Sequence, residues 1–237
     1  MALVRLDKYL ADMGLATRKE LKGIIRAGRV AVDGTVVTSP EAKLNAEKSR
    51  VTLDGDELFY TRFHYYMLYK PCGVVTATED RRQGTVLDLL TPELRRMGLF
   101  PVGRLDKDTS GLLLLTDDGE FAHRVISPKS GITKLYYAEV DGALTQEDVC
   151  AFAEGLTLGD GTKCLPARLE IITPNACRVA VMEGKYHQVR RMLASRSAHV
   201  TRLKRESIGA LKLDPDMHEG DFRELDESEI ALVYLEK

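Results

Sequence analysis

The sequence predicts an α+β protein in two parts. A helix, helix, hairpin pattern is complete within the first 40 residues, and strand-like runs then alternate with a few capped helices up to the C-terminus. With 237 residues, length supports one or two domains able to bury a core without disulfides or metals. The boundary is expected near residue 60, leaving a small domain and its connection over 1–60 and a larger domain over 61–237.

The elements follow in order. Leu6, Tyr9, Leu10 and Met13 recur at helical spacing, and Gly14 offers a stop. Thr17 and Glu20 form a capping box for a second helix with Leu21, Ile24 and Ile25 on one face, ending near Gly28. RVAVDGTVV then alternates around Asp33-Gly34, a hairpin signal. VTLDGDELF repeats the pattern around Asp54-Gly55 within a stretch, Asn45 to Arg62, that leads into the larger part. Beyond it, strands are expected at YYMLYK, GVVTAT, LFPVGRL, LLLLTD, KLYYAEV, LPARLEII, ACRVAVM and HVTRLKRESI. Helices are expected at Thr116–Ile126, Thr145–Gly155, His187–Ser197 and Asp226–Leu235. Many strands with dispersed helices give a mixed sheet.

Composition excludes several classes. No apolar run approaches the ~20 residues that span a bilayer, and charges interrupt the first residues, so no signal-peptide core is expected and the cytoplasm is the default. Four cysteines (Cys72, Cys150, Cys164, Cys177) lie far apart without a C-x-x-C pair, against zinc or a disulfide framework. Dinucleotide, P-loop and H-E-x-x-H fingerprints are absent. The net charge of −2 conceals an asymmetry: residues 1–50 hold ten Lys/Arg against six Asp/Glu. Residues 183–205 hold seven against one, whereas 214–237 are acidic. Two basic segments in a near-neutral chain point to a polyanionic partner.

The candidate chemistry lies in GRLDKDTSGLLLL, Gly103 to Leu115. A polar cluster between apolar runs is ordinarily a turn, yet its flanks read as buried strands that would hold it rigidly. A second cluster, EGKYHQVRRM, supplies cations from a helix start. His187 there has no second ligand at metal spacing, so a structural or RNA-contacting role is favoured over a metal or base role. Tyr136 and Tyr137 must face opposite sides of a strand; one belongs to the core and the other is free to stack. The tetrapeptide R-L-D-K also occurs at Arg5–Lys8, where Asp7 falls in the first turn of a helix and suits its dipole.

Two resemblances sharpen these readings. RLDKYL, Arg18-Lys19 and IRAGRVAVDGTVV, within residues 3–48, resemble the S4 RNA-binding domain. That resemblance implies that Arg5, Arg18, Lys19, Lys22, Arg26 and Arg29 track an RNA backbone, as clustered cations do. GRLDKDTSGLLLLTDDG is similar to the signature of bacterial rRNA pseudouridine synthases; YKPCG, SPKSGITKLYYAEV, GKYHQVRRM and LKRESIGALKLDP match further motifs in order. With an S4 domain in front, the chain resembles the RsuA/RluB group, most of all its small-subunit branch, RsuA.

The resemblance implies a catalytic domain on a mixed, mostly antiparallel sheet with dispersed helices. It implies Asp106 as nucleophile, Tyr136 stacking on the target base, and Arg190 pairing with the Asp106 carboxylate to orient it in its charged form. Arg104, Lys70, His187 and Gln188 would contact the flipped nucleotide, while Thr109 and Ser110 would fix the loop. Uridine in 16S rRNA would become its C-glycoside without metal or cofactor. The partner would be ribosomal RNA or a subunit assembly intermediate, the protein a monomer without membrane association. A 23S rRNA synthase of the same group and a non-catalytic assembly factor are the alternatives. The chain departs from the family pattern at Leu135, where threonine is common, and at Ser197, where glycine commonly closes the helix.

Overall fold

A computed structural model describes residues 3–235. The chain divides into two compact units. One comprises the residues up to His64 together with Leu90–Leu99; the other comprises Tyr65–Leu89 and Phe100 onward. Where the sequence suggested one cut near residue 60, the chain changes units near residues 64, 90 and 99.

The first unit opens with β1 (Leu3–Arg5), α1 (Leu6–Asp12) and α2 (Arg18–Arg26). Thr17 and Glu20 close the expected capping box on α2. The strands β2 (Val30–Val32), β3 (Thr35–Val36), β4 (Lys43–Asn45), β5 (Val51–Leu53) and β6 (Asp56–Leu58) follow. Two hairpins, β2–β3 and β5–β6, assemble into one sheet in the order β3-β2-β5-β6. Their turns place Asp33-Gly34 and Asp54-Gly55 at positive φ, which suits Asp-Gly and matches strand twist. Leu6, Tyr9, Leu10, Leu21, Ile25, Val30 and Val51 form the core between helices and sheet. The β1–β4 pair was not foreseen from sequence, because both segments are short and their pairing is non-local.

The elements that follow are β7 (Tyr65–Lys70), α3 (Pro92–Arg96, in the first unit), β8 (Phe100–Pro101), β9 (Ser110–Thr116), α4 (Gly119–Ile126) and β10 (Lys134–Val140). Then come α5 (Gln146–Glu154), β11 (Arg168–Thr173), β12 (Ala176–Val181), α6 (Gln188–Ala194), β13 (Val200–Ile208), β14 (Leu211–Lys212), β15 (Phe222–Glu224) and α7 (Glu227–Leu232). A nine-stranded sheet runs β11-β12-β10-β13-β9-β7-β15, with β8 and β14 attached beside β9 and β13. Its pairs are antiparallel except β13 with β9, which is parallel, so the sheet is mixed and mostly antiparallel.

Two apolar cores flank that sheet. One collects β10, β12 and β13 under α5 and α6; the other gathers β7 and β9 with α4 and α7. Leu112 to Leu115 are at most 1% exposed, each contributing about 1.5–3 kcal/mol by burial. Several sequence expectations shift. GVVTAT keeps only an isolated bridge at Val75, and LFPVGRL is strand only over Phe100–Pro101. Thr116 ends β9 and leaves Asp118 to cap α4, and α6 and α7 are shorter than expected at both ends.

Candidate active site

The segment entering β9 is pinned at nearly every residue. Val102 N donates to Leu114 O at 2.8 Å, and Leu105 exchanges two hydrogen bonds with the Thr76 hydroxyl, at 2.7 and 3.2 Å. Gly73 N donates to Lys107 O at 2.8 Å, and Thr109 N closes a turn on Asp106 O at 3.1 Å. Beneath them lies Lys70, fully buried, with Nζ donating to Pro71 O and Thr109 O at 2.9 Å and reaching Lys107 O at 3.5 Å. Burial pushes this ammonium below the ordinary lysine value, and the nearby charges of Cys72, Asp106 and Asp108 oppose the drop. The expectation that Lys70 touches substrate is corrected here: its donors are committed to the carbonyls that shape the loop.

Gly111 explains the T-S-G that follows. It pairs with Arg205 across the parallel strand at φ +111°, and a Cβ there would fall 2.3 Å from Arg205 O. Only a residue without a side chain lets the two strands meet as the loop enters the sheet.

Asp106 emerges from this clamp with its side chain 32% exposed. It lines a pocket with about 440 Å³ of empty space, together with Arg104, Thr109, Tyr136, Glu183, Lys185, His187 and Gln188. Among the described residues, His187 is the basic side chain in reach, its Nε2 3.6 Å from Asp106 Oδ1. A positive φ of 48° carries His187 into the pocket just ahead of α6, and its ring stacks on the exposed Tyr186 with centroids 3.9 Å apart. Arg104 is exposed on the pocket rim, with no ion-pair partner among the described residues.

The expected Arg190–Asp106 pair is not what the structure holds. Arg190 Nη2 donates to Asp108 O and meets the Asp108 carboxylate, each at 3.0 Å, while Nη1 donates to Val200 O at 3.3 Å. The turn at Asp106–Thr109 sends the two carboxylates apart: Asp106 enters the pocket and Asp108 meets α6. Arg190 therefore contacts the loop that carries Asp106 through Asp108.

Gln188 is also committed internally. Its amide donates to Glu183 Oε1 and accepts from Lys185 N, both at 2.9 Å. Glu183 gathers Lys185 Nζ at 2.5 Å and Leu165 N at 2.9 Å as well. Burial would raise the Glu183 carboxyl, but these donors hold it below its usual value. The reading of Gln188 as a substrate contact becomes one of a residue that holds the pocket wall. Of the paired tyrosines, Tyr136 lines the pocket, whereas Tyr137 donates to Glu139 Oε1 at 3.3 Å.

In the first unit, some expected phosphate contacts are occupied. Arg5 forks onto Asp7 at 3.0 and 2.9 Å, and Arg29 forks onto Asp54. Arg18 reaches Asp7 at 3.4 Å. A carboxylate as buried as Asp7 needs cations beside it, which draws Arg5 away from the surface role. Lys19, Lys22 and Arg26 have no ion-pair partner among the described residues. Nor do the described residues gather three or more His, Cys, Asp or Glu side chains in a metal-binding group.

Comparison with known proteins matches this architecture. Residues 64–195 match the RNA pseudouridylate synthase family and residues 4–49 match the S4 domain. The chain is 43% identical, over 97% of its length and 98% of the relative's, to YtzG of Bacillus subtilis (strain 168), an uncharacterized RNA pseudouridine synthase. It is 41% identical to ribosomal small subunit pseudouridine synthase A of Escherichia coli (strain K12), over 97% of this chain and all of that one. A crystal structure of a pseudouridylate synthase superposes with a TM-score of 0.69 at 35% identity, covering 97% of this chain and 99% of the other. The chain therefore belongs to the RNA pseudouridylate synthases and carries an S4 domain ahead of its catalytic domain.

Proposed function

We propose that the protein isomerises a uridine to pseudouridine in ribosomal RNA, and that the target lies in 16S rRNA of the small subunit. The observation that carries this reading is one carboxylate, Asp106, delivered by a tightly hydrogen-bonded loop into a charged pocket that Tyr136 also lines. Full-length similarity to a small-subunit enzyme favours 16S over 23S rRNA.

In this reading Asp106 is the nucleophile, Tyr136 stacks on the base, and Arg104 holds the extruded nucleotide at the rim. His187 faces both the carboxylate and the nucleotide. Arg190 and Lys70 position the loop, through Asp108 and through backbone carbonyls. The N1–C1′ bond breaks, the base rotates, and a C5–C1′ bond forms while the proton of C5 is lost and N1 gains one. Atoms and electrons balance within the nucleotide and solvent, so the chemistry asks for no cofactor. A base stacked in folded RNA must first be flipped out, which costs a few kcal/mol that stacking and backbone contacts offset. Lys19, Lys22 and Arg26 of the first unit supply phosphate contacts.

The test uses unmodified 16S and 23S rRNA transcribed with uridine tritiated at C5. Wild-type protein is expected to release tritium from 16S rRNA at one mapped position, and Asp106→Asn to release none. Release confined to 23S rRNA would move the target, and undiminished release by Asp106→Asn would remove the nucleophile.

A further inference from the structure

Behind the pocket lies a charged residue whose side chain has been given no role so far. Arg205 sits in mid-β13 and is 4% exposed. Its cross-strand neighbours are Gly111 on one side and Tyr136 on the other. Nε donates to Leu112 O at 2.8 Å, Nη1 reaches the Tyr136 hydroxyl at 3.5 Å, and Nη2 is buried with no hydrogen-bond partner among the described residues. The guanidinium carbon lies 6.0 Å from the centre of the Tyr136 ring.

No carboxylate among the described residues pairs with it. The charged neighbour that feels it is another cation: Lys134, bonded to Val125 O at 3.0 Å, is pushed down to about 8 by burial and by Arg205. An unpaired buried guanidinium is unfavourable, and an apolar side chain would fill the space between the strands without that cost. What the guanidinium alone supplies is a fixed set of donors.

A guanidinium has five N–H donors and no acceptor, whereas a phenol has one proton and lone pairs that accept. The contact therefore has one polarity: Arg205 donates and Tyr136 accepts. With that direction taken, the phenolic proton points away from the sheet. We propose that Arg205 is a positioning residue for Tyr136, turning its hydroxyl proton into the pocket so that the ring meets the bound nucleotide as a hydrogen-bond donor as well as a stacking surface. The inference rests on the reading of this pocket as the uridine site.

The test is a double-mutant cycle with Arg205→Met and Tyr136→Phe, read as single-turnover tritium release from 16S rRNA labelled at C5 of uridine. Losing a charge-assisted hydrogen bond corresponds to about a ten- to hundredfold effect. Arg205→Met is expected to slow the step by that factor, leave RNA affinity within about twofold, and have no further effect in Tyr136→Phe. Equal slowing in both backgrounds, or a loss in affinity alone, would assign Arg205 to the sheet and overturn the proposal. Arg205→Lys and Arg205→Gln serve if the methionine variant does not fold. An RNA-independent measurement separates this proposal from the uridine reading: the NMR shift of Tyr136 labelled with 13C at Cζ, assigned through Tyr136→Phe. It is expected to move in Arg205→Gln; an unmoved shift refutes the hydrogen bond whether or not the protein acts on 16S rRNA.

Discussion

The tetrapeptide R-L-D-K occurs twice in this chain, and the two copies end in opposite states. In the first, Asp7 is 1% exposed and locked by its own neighbour Arg5 and by Arg18 from α2. In the second, Arg104 turns out to the pocket rim, and Asp106 stands about one-third exposed with His187 its one ion-pair neighbour among the described residues. In both copies the leucine is buried. The difference arises because the first aspartate opens a helix whose entry Arg5 can cover, while the second opens a turn that Lys70, Thr76 and Arg190 hold by its backbone groups, leaving the Asp106 carboxylate unspent. Identical letters therefore give one carboxylate saturated with donors and one left available to a ligand.

That contrast can be broken by substitution. Asp106→Ala should lower single-turnover pseudouridine formation by about 10⁴-fold or more, as loss of a nucleophile does. Asp7→Asn should leave the rate per folded molecule nearly unchanged. Comparable rate losses in the two variants would erase the distinction. Gly111→Ala attacks the clamp itself: with a Cβ 2.3 Å from Arg205 O, urea unfolding should show a loss of about 3–5 kcal/mol, or no folded protein.

Asp7→Asn should cost about 1–3 kcal/mol at pH 7, visible as faster hydrogen exchange in α1 and α2. The Arg5 hydrogen bond holds the Asp7 carboxyl below its usual value. Its stabilisation is thus present above the unfolded value of about 3.9 and disappears as pH falls through the lower folded value. The deficit of Asp7→Asn should shrink in acid; a constant deficit would show that packing, not charge, sets it.

The basic residues divide in the same way. Neutralising Lys22 or Arg26 should each lower the salt slope of RNA binding by about 0.7–0.9 without changing stability. Arg18→Gln should instead destabilise α1 and α2, since it supports Asp7. The smallest effect is at Ser197, which takes φ 60° after α6: Ser197→Gly should raise stability by about 0.5–1 kcal/mol.

Local signals in the sequence survived where the physics is local. Both Asp-Gly hairpins, the Thr17–Glu20 box and the strands at YYMLYK and KLYYAEV were legible because turn chemistry and alternation act within a few residues. GVVTAT was misread because apolar, β-branched composition resembles a strand. There, Gly73 and Thr76 spend their groups on the Asp106 loop instead. The short edge strand Phe222–Glu224 beside β7 carried no periodicity long enough to see. Tyr186, stacked on His187, and Arg205 were both passed over. The inward parity of Leu203, Arg205 and Ser207 within HVTRLKRESI was the one available hint of a buried arginine.

By itself the sequence determined the two-part α+β organisation, the family motifs and the aspartate at their centre, since these depend on residue order and short-range propensity. Tertiary structure alone decided which partner each charge takes: Arg190 on Asp108, Arg5 on Asp7, Lys70 beneath the loop, Arg205 behind Tyr136. Ion pairing depends on separations of a few ångströms and on loss of water, and neither is defined until distant strands have been brought side by side.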